Sequence, residues 1–137
     1  MQKKQNKMRS EIKVKLLVTH PTIPPDQISK ILKISPSKIW LRGDKLSITE
    51  RRYQENGWEL SSSLPTSSDI KQHTAALIHK IESHIDKFQD LPKDIEIELS
   101  CVVYSYGGDR PAIFFEKEVI RLLGVINAEI DIDLYVL

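Results

Sequence analysis

Histidine, cysteine and paired carboxylates are the residues here whose types could do chemistry, and their spacing decides whether they can. His73, His79 and His84 stand six and five residues apart in one helical stretch, with His20 far away. That spacing does not stack two imidazoles on one helix face, as an i, i+4 metal pair requires, so no metal or other cofactor is expected. Cys101 alternates in register with Ile97, Leu99 and Val103, which is the position of a small buried hydrophobe. A catalytic thiol needs exposure and an activating base, and neither is indicated.

Glu96 and Glu98 project from one alternating segment and Asp131 and Asp133 from another, while Lys13 and Lys15 project from a third. Carboxylate pairs can act as general acid and base or ligate a hard cation. The simpler arrangement sets the basic strand between the two acidic ones, where cross-strand ion pairs contribute roughly 0.2–1 kcal/mol each. The expected order therefore has the first strand internal, flanked by the Glu96 strand and the C-terminal strand.

Trp40 and Trp58 are the two tryptophans, with Tyr53, Arg42, Arg51 and Arg52 between them. Aromatic and arginine side chains are enriched at binding hot spots, and the same residues serve equally as core anchors. The chain between the tryptophans must return to one sheet, so the two indoles are expected near each other. Gly107-Gly108-Asp109-Arg110 lacks the lysine of a phosphate loop and reads as a hairpin turn. Arg42-Gly43-Asp44 is likewise a turn.

These residues must be positioned by recognisable elements. Ile12, Val14, Leu16 and Val18 alternate with Lys13, Lys15, Leu17 and Thr19, the pattern of a strand with one buried face. After a proline-rich turn, Asp26-Gln27 opens a short helix carrying Ile28, Ile31 and Leu32, closed at Ser35-Pro36. Residues 38–41 extend again, and Trp58 to Ser61 reads as another strand. Ser67 or Ser68 caps a long helix whose stripe runs Ile70, Thr74, Leu77, Ile78, Ile81, Ile85, Phe88 until Leu91-Pro92 ends it.

Alternation resumes from Ile95 to Tyr104. Ala112 to Phe115 suits a short return strand, Glu116 to Gly124 a third helix, and Ile130 to Val136 a last alternating strand. The elements predict an α+β, two-layer sandwich: a largely antiparallel sheet with helices on one face, in a ferredoxin-like or split βαβ arrangement. Residues 1–10 read as a flexible basic tail and 11–137 as a single domain.

Composition narrows the function classes. The chain has 137 residues, 40% hydrophobic and 28% charged, the balance of a folding globular domain. Lys and Arg number 20 against 19 Asp and Glu, a net charge of +1. That leaves no global field for nucleic acid or an anionic membrane, so nucleic-acid binding is not expected. One cysteine allows no intramolecular disulfide, Glu11, Lys13 and Lys15 interrupt any signal-peptide core, and no apolar run could span a bilayer. Cytoplasmic residence is the expectation.

The order strand, short helix, Ile34-Ser35-Pro36-Ser37-Lys38-Ile39-Trp40-Leu41-Arg42-Gly43-Asp44, then Gly57-Trp58-Glu59-Leu60, resembles the bacterial family known as domain of unknown function 4279. Glu98 to Tyr104 and the ending Ala128 to Tyr135 resemble it too. The resemblance runs from about Glu11 onward. It implies a compact bacterial α+β domain and supplies no reaction and no catalytic residues. Small domains of this kind are similar to immunity proteins that neutralise toxins, which is an analogy of size and fold.

The leading expectation is a non-enzymatic protein-binding module, immunity-like, offering a protein partner either its exposed sheet face (Lys13, Lys15, Glu96, Glu98, Asp131, Asp133) or the set Trp40, Arg42, Asp44, Tyr53 and Trp58. The alternative is a small enzyme or small-molecule-binding domain using the Trp40 to Trp58 region, with Arg42, Asp44, Glu96 and Glu98 around an aromatic-lined pocket. A homodimer is compatible with both.

Overall fold

Period-two alternation produces the sheet. In β1 (Glu11–His20), Ile12, Val14, Leu16, Val18 and His20 are buried while the intervening side chains are not. The computed structural model describes residues 9–47 and 49–137. Most of the basic tail assigned to residues 1–10 therefore lies outside the described residues. Ser10, at its end, donates its backbone N–H to the Asp109 carboxylate at 3.0 Å.

α1 (Pro25–Leu32) begins one residue earlier than Asp26, because Pro25 occupies the first helical position, where its missing N–H is no loss. Ile28 and Leu32 are buried. The strands β2 (Lys38–Trp40) and β3 (Asn56–Ser61) follow. The long helix is shorter than its stripe implies. α2 (Ile70–Ile81) gives way at Glu82 to a 3-10 helix, Glu82–Asp90. Its cap is Asp69, not Ser67 or Ser68: the Asp69 carboxylate accepts from Gln72 N–H while the Gln72 side chain accepts from Asp69 N–H, a reciprocal capping box.

β4 (Glu96–Ser105) leads through an irregular segment to α3 (Lys117–Val125) and the last strand, β5 (Glu129–Val136). Residues 112–115 form no strand.

The five strands lie in the order β2-β3-β1-β4-β5, and every neighbouring pair is antiparallel except β4 with β5. The α+β class, with helices over one face of a mostly antiparallel sheet, agrees with the patterning. The strand order corrects the charge argument. β1 is internal, but its neighbours are β3 and β4, and the two acidic strands pair directly: Glu98 opposite Glu129, Ser100 opposite Asp131, Val102 opposite Asp133. A strand–helix–strand unit closes most readily onto the adjacent strand with a right-handed crossover, and that connection outweighs a few exposed charges.

Under the helices lies one core, built from the inward residues of β1, β3 and β4 with Ile28, Leu32, Ile70, Leu77, Ile81, Phe88, Val119 and Leu123. Trp58 is fully buried in it, its indole N–H donating to Ser29 Oγ of α1 at 2.9 Å.

Candidate binding face

The helix-free side of the sheet gathers most of the residues singled out in the sequence. From β1 come Lys13 and Lys15, from β4 Glu96, Glu98 and Tyr104, and from β5 Glu129, Asp131, Asp133 and Tyr135; β3 adds Glu59. Lys15 reaches Glu59 on β3 at 3.5 Å and not the acidic strand. Lys13 stands 5.9 Å above the Tyr104 ring, within cation–π range. The two lysines are thus committed to β3 and to an aromatic ring, and among the described residues the β4–β5 carboxylates face one another.

Glu98 registers the result. Partial burial raises its pKa, and the charges of Asp131, Asp133, Glu129 and Glu96 raise it further. Beside it, Leu17, Thr19, Glu55, Glu96 and Glu98 line a shallow depression of about 520 Å³. Among the described residues no group of three or more His, Cys, Asp or Glu is placed to hold a metal ion.

Aromatic rings flank the acidic centre on either side. Tyr104 stacks with Tyr135 at 5.1 Å and with Tyr106 at 6.5 Å between centroids. At the other end Trp40 stacks on Tyr53 at 4.6 Å and 18°, with Lys38 5.7 Å from the Trp40 ring. The pattern of alternation placed Tyr104 and Tyr135 on this face. What it could not supply is that they lie opposite one another, which requires the β4–β5 register.

The Trp40 to Trp58 set is divided. Ile39 pairs with Trp58 and Trp40 with Gly57, so the two indoles lie on opposite faces of the sheet. A shared aromatic site built on both is excluded. Trp40 lies flat over Gly57, where a Cβ would overlap the indole. This glycine serves close approach, since its φ is not in the left-handed region. Asp44 accepts the Leu41 N–H at 2.8 Å and thereby shapes its own turn. Arg42 is exposed, its N–H held by the Asn56 side chain, while Arg52 donates to the Gly43 carbonyl.

Two histidines have structural posts that the sequence did not disclose. His20 Nδ1 accepts the N–H groups of Thr22 and Ile23, which leaves the proton on Nε2 to be donated to Asp94 at 2.9 Å. This hydrogen bond is the main reason that the Asp94 carboxyl sits below its usual pKa. His73 Nδ1 lies 2.6 Å from Ser62 Oγ, the spacing of a nucleophile and its base. Both side chains are buried, Ser62 with 3% and His73 with 1% of their surface exposed, so no substrate reaches them as they stand. Burial holds the His73 pKa down, against the opposing pull of the Ile12 backbone and the Asp69 charge. Cys101 is buried, and desolvation pushes its thiol up to about 12, which leaves it inert as a nucleophile.

None of the helices among the described residues is long and apolar enough to cross a membrane. No curated protein and no solved structure matches the chain. The β1 alternation, the turn around Trp40, the strand carrying Cys101 and the acidic terminal strand all fall inside the stretch that matches one family model, residues 10–137. The chain belongs to the family described as domain of unknown function, DUF4279.

Proposed function

We propose that this protein is a non-enzymatic binding module whose helix-free sheet face docks a protein partner carrying a basic surface. One observation carries the reading: the β4–β5 register sets Glu98 opposite Glu129 with Asp131 and Asp133 alongside, and the pKa of Glu98, raised first by partial burial, is raised further by those charges. Like charges opposite one another in a sheet destabilise it. A partner supplying Lys and Arg relieves that repulsion on contact, so the free energy lost in the free chain returns as affinity and as faster encounter. Tyr104, Tyr106, Tyr135 and Trp40 flank the acids with flat, stiff rings suited to arginine and to apolar anchors. A module that neutralises a toxin by covering it, as immunity proteins do, is one form this activity takes. A cytosolic setting is consistent with the single buried cysteine.

The test is recovery of partners from the native host by the full chain and by the variant Glu98→Lys/Asp131→Lys, at near-physiological and at high salt. Wild type is expected to retain a basic protein that the variant loses, with retention falling steeply as salt rises. Equal retention by both chains, or none by either, overturns the proposal.

A small-molecule site around Trp40 and Tyr53 has less support, because Trp58 is sealed in the core.

A further inference from the structure

The two edges of the sheet are protected very differently. β2, at one edge, is three residues long and carries Lys38. β5, at the other, is eight residues long without proline, glycine or lysine, and every one of its residues is exposed. No other described strand pairs with its outer edge. On the helix side Ile130 and Ile132 are each 39% exposed, Leu134 52% and Val136 76%. A long edge strand with an exposed apolar row on one face templates further strand pairing unless something blocks it, and the three acids of β5 lie on its other face.

The backbone shows which residues are free to pair. Leu137 turns inward: its N–H donates to the Ser105 carbonyl at 2.8 Å and its carbonyl accepts from Gly107 at 3.3 Å. Successive residues of a strand present these groups to opposite sides, so Ile130, Ile132, Leu134 and Val136 point theirs outward. The side chains of those same residues form the exposed apolar row.

We infer that β5 pairs antiparallel with β5 of a second copy of this chain about a two-fold axis at Leu134. The charge pattern selects both the occupant and the register. Glu129, Asp131 and Asp133 occupy one half of the strand and Tyr135 and Leu137 the other, so an antiparallel self-pairing sets the acidic half against the half without charged side chains. Centred on Leu134, it places Asp133 opposite Tyr135, Asp131 opposite Leu137, and Ile132 opposite Val136. Centring on Asp133 or Ile132 sets aspartates directly opposite aspartates, which is destabilising. Centring on Tyr135 pairs Leu134 with Val136 and gives Ile132 no apolar partner among the described residues, so less of the exposed row is covered.

Beside Leu134 and Val136, the segment carrying Pro111 and Ile113 borders a groove of about 360 Å³, and the second copy's Ile132 arrives at its mouth. The contact is isologous and closed. β2 is too short to offer β5 a head-to-tail alternative. The pairing uses the strand edge and the helix side of β5, so it stands whether or not the opposite face docks a basic protein.

Cysteine cross-linking of the full chain reads the register directly, because the native Cys101 is buried and its thiol is held protonated. Leu134→Cys brings two thiols into disulfide reach across the axis. Ile132→Cys leaves them far apart. Under mild oxidation Leu134→Cys is expected to form a linked dimer about ten-fold or more faster than Ile132→Cys. Sedimentation of the wild type should show a dimer, weakened by about ten-fold or more in Leu134→Lys. A wild-type chain that stays monomeric, equal cross-linking of the two cysteine variants, or an unchanged dimer in Leu134→Lys overturns the inference.

Discussion

Trp58 and Trp40 stand on paired strands, one rung apart, and belong to opposite sides of the sheet. Trp58 lies wholly beneath α1, with its single polar atom satisfied by Ser29. Trp40 lies across Gly57 on the helix-free face, stacked on Tyr53 and approached by Lys38. The same contrast runs through β4, whose Ile97, Leu99, Cys101 and Val103 are sealed while Glu96, Glu98 and Tyr104 face outward among other carboxylates and rings. One side is organised by removal of apolar surface from water. The other is organised by rings and by charges that the described residues leave unbalanced, and on the proposed reading such a surface meets a partner.

That contrast can be tested by mutation on each side. Trp58→Ala empties a core position and removes the partner of Ser29, and a loss of about 3–5 kcal/mol is expected in denaturant unfolding. Trp40→Ala should cost far less. Equal losses would mean that Trp40 is also a core residue. Gly57→Ala is predicted to destabilise by about 1–3 kcal/mol, because the added methyl must displace the Trp40 indole. A change in tryptophan fluorescence from the freed Trp40–Tyr53 stack should accompany it. Unchanged stability and fluorescence would show that the stack yields without resistance.

The smallest effect is the most discriminating, because pH acts on the two sides with opposite signs. His73 has a lowered folded pKa, so the unfolded chain takes up its proton first. The stability His73 contributes is present above about 6.5 and is lost as pH falls below that toward the folded value. Glu98 has a raised folded pKa, so its stabilising contribution is complete below 4.5 and fades as pH rises through the folded value. Glu98→Gln is therefore expected to stabilise the free chain near neutral pH by roughly 0.2–1 kcal/mol, an effect that shrinks on acidification and in high salt. Unfolding curves of wild type and variant across pH check this. A variant that is less stable than wild type at neutral pH would mean that Glu98 has a stabilising partner, and the charge imbalance on that face would have to be reassigned.

By itself the sequence determined most of the elements and, in β1, β4 and β5, the face each residue occupies. Alternation in β1, β4 and β5 and the apolar stripes of α1 and α2 are local consequences of a two-residue and a 3.6-residue repeat, and they put Cys101 inside and Glu98 outside before any fold is known. Ends were less legible. Asp69 took the cap expected of Ser67 or Ser68, and the stripe through Ile85 and Phe88 continued while the backbone tightened to a 3-10 helix, because side chains three or four residues apart suit either geometry.

Only the tertiary structure decided which strands are neighbours. Cross-strand charge pairs contribute too little to choose a sheet order, whereas the α3 crossover from β4 into β5 sets those strands side by side and parallel. From that single adjacency follow the clustered carboxylates, the stacked Tyr104 and Tyr135, and the bare outer edge of β5. Likewise the separation of Trp40 from Trp58 rests on a one-residue offset in the β2–β3 register, and shifting a strand by one residue sends each of its side chains to the other face.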